Sequence, residues 1–272
     1  MRTNKGSLLA QGRAAEIYAW GDHHVLKLFR RSGQAAVEQE LVIGRLAYTH
    51  GIRTPQAFEV IESDGRLGVV YERVQGPSLL TALTSQPWRL VTLMRGFAEL
   101  HATLHQVSVP SLRAGRSKLE WDIPNATMLP VNLQLATLNI LQKFPDDDKL
   151  CHGDFHPDNI IVAPDGLVVI DWANSVRGAP LADVAKTALL LQIGQLPAGA
   201  PLAKRASIAL LRRLVRTIYL TRYFQVNPLP RQAWRRWSAV IAAARAQENI
   251  PGEQASLVNF IQTQLRKEGI VA

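Results

Sequence analysis

Hydrophobic and polar residues alternate along the first part of the chain and follow helical spacing along most of the rest. Alternation in AEIYAW and VLKLF, joined by the turn GDHH, predicts a hairpin over about residues 15–29. A helix is predicted from about Gln34 to His50, with an inward stripe made of Val37, Leu41, Gly44 and Tyr48. AFEVI and LGVVYERV, joined by SDGR, predict a second hairpin. This order predicts a small antiparallel sheet with one helix packed on it.

The pattern changes after about residue 74. Gly76 and Pro77 interrupt the chain, and Ser78 is a suitable N-cap for a helix that begins with LLTAL. We therefore expect two lobes, residues 1–74 and 75–272, with a hinge at about residues 72–77. Helices are predicted over about residues 88–107 and 131–143, with a loop-rich insertion at 112–130. The predicted fold class is α+β, with a strand-rich N-terminal lobe and a mainly helical C-terminal lobe.

Composition narrows the class of protein. A chain of 272 residues that is 47% apolar is long enough for two lobes with buried cores. The single cysteine, Cys151, excludes an internal disulfide and a cysteine-based zinc site. The start of the sequence lacks the apolar stretch of a signal peptide, and no run of 18 apolar residues is present. These features predict a cytoplasmic protein without a membrane span.

The positive charge is concentrated at the C-terminal end. Residues 201–272 hold 12 of the 31 basic residues and 3 of the 22 acidic ones, so the rest of the chain is balanced. Arginines alternate with aromatic residues there, a pattern seen in nucleic-acid binding. However, Tyr219, Tyr223, Trp234 and Trp237 recur at helical spacing, which indicates core packing. We therefore expect solvated helix faces and do not expect nucleic acid as a partner.

The segment CHGDFHPDNIIV, residues 151–162, carries the strongest chemical signal. It leads into the predicted hairpin NIIV, APDG, LVVID. Asp154 therefore lies on a loop before the hairpin, Asn159 at the start of its first strand and Asp171 at the end of its second. Phosphoryl transfer needs such a set, because one carboxylate meets the acceptor hydroxyl while an amide and a second carboxylate hold magnesium against ATP phosphates.

At this point the sequence resembles the aminoglycoside phosphotransferase-like enzymes, bacterial small-molecule kinases distantly related to eukaryotic protein kinases. The resemblance spans residues 12–190. It rests on HGDFHPDN with IDW 12 residues after its asparagine, the lysine in VLKLF, the lobe link YERVQGPSLL, and LHATLH and PLADVA. It implies a two-lobe protein-kinase-like fold. It also implies transfer of phosphate from ATP, with magnesium, to a hydroxyl group of a small molecule.

The resemblance also implies a role for each motif residue. Asp154 is the expected catalytic base, and Asn159 and Asp171 are the expected magnesium ligands. Lys27 is expected on the third strand, reaching the ATP phosphates and held there by an acid on the following helix.

Two acids compete for Lys27. Glu40 lies on the predicted inward stripe of the helix, whereas Glu38 shares a side with Arg45, so we choose Glu40. We further expect Leu26 and Leu28 to pack beneath the helix, which would turn Lys27 toward the cleft.

Other residues receive supporting roles. Gly12 in LLAQGRAAEIY is expected to approach the ATP phosphates, although protein kinases have three glycines there. The lobe link is expected to contribute Glu72 and Val74 to ATP binding. His152 and His156 are expected to fix the catalytic loop, and Asp183 to brace it. Trp172 and Ala173 follow Asp171 in place of Phe and Gly, which argues against a mobile activation segment.

Two alternatives remain open. His152, Asp154, His156 and Asp158 alternate, and His101 and His105 are one helical turn apart, so a metal-dependent hydrolase is one of them. A nucleotide-binding pseudokinase that acts as a partner protein is the other. The acceptor remains open among choline, homoserine, sugars, antibiotics and protein-bound amino sugars, and the oligomeric state is not indicated. The basic C-terminal segment favours a neutral or anionic acceptor over a polycation.

Overall fold

A computed structural model describes residues 5–193 and 202–270 of the chain. The described chain divides into two compact units. The first contains the residues up to Pro87 together with Pro157–Ser175, and the second contains Trp88–His156 and the residues from Val176 onward. The lobe boundary expected at residue 74 stays a prediction, because grouping residues by contact does not define a lobe.

Strands and helices follow the order expected for an α+β chain. The strands are β1 Lys5–Gln11, β2 Ala15–Trp20, β3 His24–Phe29, β4 Ala57–Ser63, β5 Arg66–Glu72, β6 Lys149–Cys151, β7 Ile160–Ala163, β8 Gly166–Val169 and β9 Val176–Gly178. The helices are α1 Gln34–Thr49, α2 Leu79–Ser85, α3 Leu90–Leu104, α4 Gly115–Asp122, α5 Val131–Gln142, α6 Pro180–Gln192, α7 Leu202–Val226, α8 Trp234–Arg245 and α9 Gln254–Lys267. The predicted α+β class is confirmed.

A five-stranded antiparallel sheet forms most of the first unit, in the order β1-β2-β3-β5-β4. Both predicted hairpins are present, as β2–β3 and β4–β5. Strand β1 was not predicted, because its two leucines, Leu8 and Leu9, are exposed and do not alternate with polar residues. Lys27 lies in β3, the third strand, as expected.

The two faces of the sheet bury different side chains. Val25 and Phe29 of β3 share a core with Val37 of α1. Leu26 and Leu28 belong to a separate core on the other face, with Val70 of β5. The expectation that the two leucines pack beneath the helix is therefore wrong. Because side chains alternate along a strand, Lys27 lies on the face that α1 covers.

Helix α1 lies close to the sheet at Gly44, where an added Cβ would come within 3.3 Å of the Cβ of Ala57. Its buried side is made of Val37, Glu40, Ile43, Gly44 and Ala47. Tyr48, which was predicted on the inward stripe, is 44% exposed. The buried residues follow the 3.6-residue period of the helix, which places Tyr48 at the edge of the buried side of α1.

The hairpin β7–β8 belongs to the first unit and packs against the chain around residues 76–78. Ser78 caps α2 by accepting a hydrogen bond from the N–H of Thr81, as predicted. The N–H of Val162 donates to the carbonyl of Pro77 at 2.9 Å. Gly76 has φ +146°, and a Cβ there would lie 2.2 Å from the carbonyl oxygen of Val162. Glycine is therefore required at this contact.

The second unit is mainly helical and is built around a core from α5, α6, α8 and α9. Trp237 of α8 stacks on Phe144, with ring centroids 4.1 Å apart. Tyr219 and Tyr223 are fully buried, as predicted, whereas Trp234 is only half-buried. The predicted loop at residues 112–130 contains α4. This helix has few apolar residues, and Asp122 is its one buried residue. Within the described ranges, every helix is too short or too polar to cross a membrane.

Candidate active site

Lys27, Glu40 and Asp171 form a charged cluster in the first unit. Nζ of Lys27 lies 2.6 Å from Oε1 of Glu40 and 2.8 Å from Oδ1 of Asp171. The hydroxyl of Tyr71 also donates to Oε1 of Glu40, at 3.0 Å. The pairing of Lys27 with Glu40 is thus present, while Glu38 accepts a hydrogen bond from Gln34 instead. Sequence reasoning missed Tyr71, because nothing along the chain signals a contact between β5 and α1.

Burial and charge act in opposite directions on this cluster. Burial lowers the pKa of Lys27, but attraction to Glu40 and Asp171 outweighs it, so the net shift is upward. Burial raises the pKa of Glu40, the positive charge of Lys27 lowers it, and the negative charge of Asp171 raises it again, so the net shift is upward. Oε2 of Glu40 is buried without a hydrogen-bond partner within the described structure. Lys27 is therefore held as a cation between two carboxylates.

Asp171 and Asn159 are neighbours at one end of the β7–β8 hairpin. Ile160 pairs with Val169, and the carbonyl of Asn159 accepts from the N–H of Ile170 at 2.9 Å. Asp171 has φ +68°, a left-handed conformation that few residues other than glycine adopt. Such conformations are costly and cluster at functional sites. The hairpin thus brings an amide and a carboxylate to adjacent positions.

The oxygen donors of Asn159 and Asp171 fit a hard divalent cation. Carboxylate and amide oxygens are the ligands that magnesium takes in proteins, and it usually keeps several waters and substrate phosphates as well. Of the two carboxylates that contact Lys27, Asp171 is 38% exposed and Glu40 is 1% exposed. Only the carboxylate of Asp171 is therefore accessible to a metal ion. Asp171 and Asn159 are therefore the residues of the first unit that suit a magnesium ion.

The remaining predicted ATP-binding residues lie at strand ends. Gly12 occupies the turn between β1 and β2, where its N–H donates to the carbonyl of Ala15 at 2.8 Å. Glu72 is the exposed last residue of β5: its N–H donates to the carbonyl of Gln56 at 2.9 Å, and its Oε2 accepts from the N–H of Gln56 at 3.3 Å. Val74 is half-buried two residues later. Their roles at the nucleotide stay predictions.

Asp154 lies in the second unit, on the loop after β6. Its Oδ2 is 3.5 Å from Nε2 of His156, and its side chain is 31% exposed. Burial raises the pKa of Asp154, but the hydrogen bond and charge of His156, followed by the charges of Lys186 and His152, bring it below its ordinary value. The group is therefore a carboxylate at neutral pH, as a proton acceptor must be. Lys186 was not recognised from the sequence, although it follows Asp183 by one turn of α6.

Asp183 holds the backbone of the loop that carries Asp154, the candidate base. Its Oδ2 accepts from the N–H of His152 at 2.6 Å, and its Oδ1 accepts from the N–H of Gly153 at 3.0 Å. Nδ1 of the buried His152 accepts from the N–H of Asp154 at 3.3 Å. Asp183 and His152 thus fix three successive N–H groups, the last of them that of the candidate base itself. Their predicted supporting roles have a structural basis in these bonds.

Two histidines of α3 complete the network around Asp183. Nε2 of His101 and of His105 lie 3.1 and 3.4 Å from Oδ2 of Asp183. Their Nδ1 atoms lie 2.7 and 2.6 Å from the hydroxyls of Tyr219 and Tyr223. Burial, followed by the nearby His105, lowers the pKa of His101 to about 3. His101 is therefore neutral, with a hydrogen-bond partner on each ring nitrogen.

The same three side chains are the only metal-ligand group of this kind within the described ranges. The ligand atoms of His101, His105 and Asp183 lie within 4.8 Å of one another. The hydrolase alternative relied partly on these histidines. However, each of their ring nitrogens already lies at hydrogen-bond distance from a tyrosine or from Asp183, and Asp183 accepts from two peptide groups. This pattern favours a structural network over a metal centre.

Comparison with known proteins assigns the chain to a family. The model of the phosphotransferase enzyme family matches residues 5–216. Two curated relatives bear the name acyl-CoA dehydrogenase family member 11. The protein from Gallus gallus is 42% identical over 73 residues, which is 25% of this chain and 9% of that protein. The protein from Pongo abelii is 26% identical over 178 residues, which is 56% of this chain and 23% of that protein. The chain thus spans less than a quarter of the length of these relatives.

Solved structures share the fold at low sequence identity. An aminoglycoside-3′-phosphotransferase of type VIII is 16% identical, with a TM-score of 0.64 and coverage of 90% of this chain and 93% of that chain. The amicoumacin kinase hAmiN, in complex with AMP-PNP, Ca²⁺ and Ami, is 17% identical, with a TM-score of 0.61 and coverage of 97% and 89%. The chain has the kinase-like fold of these proteins, and it belongs to the phosphotransferase enzyme family.

Proposed function

We propose that this phosphotransferase moves the γ-phosphoryl group of ATP, with magnesium, to a hydroxyl group of a small molecule. The cluster in which Lys27 lies between Glu40 and Asp171 carries the proposal. A buried lysine fixed by a helix acid, next to a second and more exposed carboxylate, is the arrangement that kinases use to hold phosphates and metal. The AMP-PNP and Ca²⁺ bound to the amicoumacin kinase support a nucleotide and a divalent cation for this chain too.

In this proposal the residues of the first unit bind the nucleotide. Lys27 neutralises phosphate oxygens, Asn159 and Asp171 ligate magnesium, and Gly12, Glu72 and Val74 contact ATP. Magnesium would neutralise negative charge on the phosphates. Glu40 holds Lys27 in place, because its buried carboxylate lies 2.6 Å from Nζ.

Asp154 would act on the acceptor. Its carboxylate orients the hydroxyl group and takes its proton while the hydroxyl oxygen bonds to the γ-phosphorus and the bond to ADP breaks. The loop that carries Asp154 continues directly into Asn159, so one short segment supplies both the base and a metal ligand. A cytoplasmic location, where ATP is available and Cys151 stays reduced, is part of the proposal.

The experiment separates the two carboxylates. Asp154→Ala should keep Mg-ATP binding, measured by calorimetry, and lose turnover by about 10²- to 10⁴-fold. Asp171→Ala should weaken Mg-ATP binding itself. Asp165→Ala is the matched control, because this aspartate lies in the turn of the same hairpin, is 76% exposed and pairs with Arg53.

The outcomes distinguish the alternatives. Full turnover by Asp154→Ala would contradict its assignment as the base. Mg-ATP binding by the wild-type protein with no transfer to any compound of a metabolite extract would favour the pseudokinase. Zinc in a one-to-one ratio with the purified protein, lost from a His101→Ala variant, would favour the hydrolase.

A further inference from the structure

Arg216 of α7 is a cation with an unused donor. Its Nε is buried and has no hydrogen-bond partner among the described residues. Burial lowers its pKa, and no carboxylate of residues 5–193 or 202–270 opposes that shift. Burying a charged group without a partner is unfavourable, so most buried arginines are paired. Arg216 as a whole is half-buried, and its buried, unpaired Nε points to a ligand that supplies an acceptor with negative charge.

The position of Arg216 connects it to the candidate base. Arg216, Tyr219 and Tyr223 recur at i, i+3 and i+7 and therefore share one side of α7. Tyr219 packs against Phe97, with ring centroids 5.4 Å apart, and Phe97 packs against Phe155 at 4.5 Å. Phe155 is the residue after Asp154. Arg216 thus lies one helical turn from Tyr219. Tyr219 contacts Phe97, and Phe97 contacts Phe155, the residue after Asp154.

A second cation of the second unit, Lys186, acts on the candidate base. The positive charge of Lys186 lowers the pKa of Asp154, so the two groups are close. Lys186 is half-buried and forms no salt bridge in the described part of the chain. It is adjacent to Thr187, whose hydroxyl donates to the carbonyl of Phe155 at 2.9 Å. Lys186 therefore directly precedes a residue that is bonded to the loop carrying Asp154.

The other arginines of the basic segment offer less. Arg235 and Arg236 are each half exposed and pair with Glu268, at 3.8 and 2.8 Å. Arg222 pairs with Glu99 at 2.6 Å, and Arg213 is exposed to solvent. Three of these arginines are already paired with glutamates, and Arg213 faces solvent, so the excess of positive charge alone does not indicate which acceptor binds. Arg216 differs because its buried donor is unused.

We propose that Arg216 and Lys186 select a hydroxyl acceptor that carries an anionic group, a carboxylate or a phosphate. This inference rests on the function proposed above. Arg216 would bind the anionic group through its planar fork of donors, and Lys186 would balance its charge beside Asp154. A polycationic acceptor would be repelled by both residues.

The first experiment can be carried out before the acceptor is identified. The small molecules of a bacterial extract are depleted of nucleotides and separated on an anion-exchange resin into a retained, anionic fraction and a neutral-plus-cationic fraction. Each is incubated with the wild-type protein, magnesium and ATP labelled at the γ-phosphate. Transfer of label to the anionic fraction is expected. Transfer only to the other fraction would overturn the inference and leave the proposed function intact, whereas transfer to neither would overturn both.

The variants test the two residues with the anionic acceptor so found. Arg216→Gln should raise the KM for that acceptor at least tenfold, with the KM for ATP changed less than twofold, and Lys186→Gln should act in the same direction. Arg213→Gln, an exposed arginine on the same helix, is the matched control and should change neither constant. Equal kinetics for Arg216→Gln and Arg213→Gln would overturn the role of Arg216.

Stability provides a measurement that does not depend on turnover. If Arg216 is kept for a ligand at the expense of the fold, Arg216→Gln removes a half-buried cation whose Nε has no partner among the described residues and should raise the Tm by about 2–4 °C. The retained anionic fraction should raise the Tm of the wild-type protein but not that of Arg216→Gln. A lower Tm for Arg216→Gln than for Arg213→Gln would show a structural role and overturn the inference.

Discussion

Nζ of Lys27 lies 2.6 Å from Oε1 of Glu40, and both side chains are buried. Removing one member of a buried ion pair leaves the other charge without compensation, which costs about 3–5 kcal/mol. We expect Lys27→Met to lower the free energy of unfolding by about 3 kcal/mol, the lower end of that range. The loss is limited because Glu40 still accepts a hydrogen bond from Tyr71 and can take up a proton. The measurement is denaturant unfolding near pH 7.

A double variant separates stability from function. Lys27→Met combined with Glu40→Gln removes both charges and should recover more than half of the lost stability, while Mg-ATP binding stays weak. Glu38→Gln, an exposed change on the same helix, is the control and should leave both properties unchanged. A double variant as unstable as Lys27→Met would show that the ion pair is not the source of the loss.

We expect His156 to set the acid limit of activity if Asp154 is the base. Burial alone would raise the pKa of Asp154, and His156 is the main cause of its net lowering. Replacing His156 with Ala should therefore move the pKa of Asp154 upward, so that activity is lost at a higher pH on the acid side. The pH dependence of kcat/KM between pH 4 and 8 measures this shift. An unchanged acid limb would mean that Asp154 is not the group whose titration limits the rate.

Local patterns predicted most of the elements that carry the site. The choice of Glu40 over Glu38 succeeded because helical spacing alone separates the buried side of α1 from its exposed side. The two faces of β3 could also be separated, since Lys27 alternates with Leu26 and Leu28. Which face α1 covers was assigned wrongly, because alternation is symmetric and the packing partner is chosen by the rest of the sheet.

Tertiary contacts account for what the sequence did not indicate. Strand β1 pairs at the edge of the sheet and leaves Leu8 and Leu9 exposed, so it lacks the alternation that marks a half-buried strand. Lys186 and Arg216 are separated from Asp154 by many residues along the chain. Their significance depends on the packing of α6 and α7 beside the catalytic loop, which no local pattern encodes.

His101 should make the second unit sensitive to acid. Its pKa is about 3 in the folded protein, against an ordinary value of 6.5. Between these values the unfolded chain binds a proton that the folded protein does not, so the free energy of unfolding falls as the pH decreases from about 6.5 toward 3. One such proton gives a slope of about 1.4 kcal/mol per pH unit. Asp183, whose pKa is lowered well below 3.8, adds a loss only under more acidic conditions.

The variant His101→Gln isolates this contribution. Between pH 4.5 and 6 its free energy of unfolding should depend on pH less steeply than that of the wild type, by about 1.4 kcal/mol per pH unit. The groups that face His101 are His105, Asp183, His152 and Tyr219, and all remain in the variant. His23→Gln, in the exposed turn between β2 and β3, is the control. Identical slopes for wild type and His101→Gln would contradict the buried, neutral state of His101.

Gly76 should tolerate no side chain. An added Cβ would lie 2.2 Å from the carbonyl oxygen of Val162, and the φ of +146° is itself unfavourable for other residues. Gly76→Ala must therefore separate the chain at residues 76–78 from the β7–β8 hairpin, at a cost of about 2–4 kcal/mol. Because Asn159 and Asp171 flank that hairpin, Mg-ATP binding should weaken as well. For stability alone, Gly12→Ala is the control, since its Cβ would meet the carbonyl of Ala15 at 3.4 Å. Urea unfolding of the two variants gives the comparison, and equal stability would refute the steric requirement at Gly76.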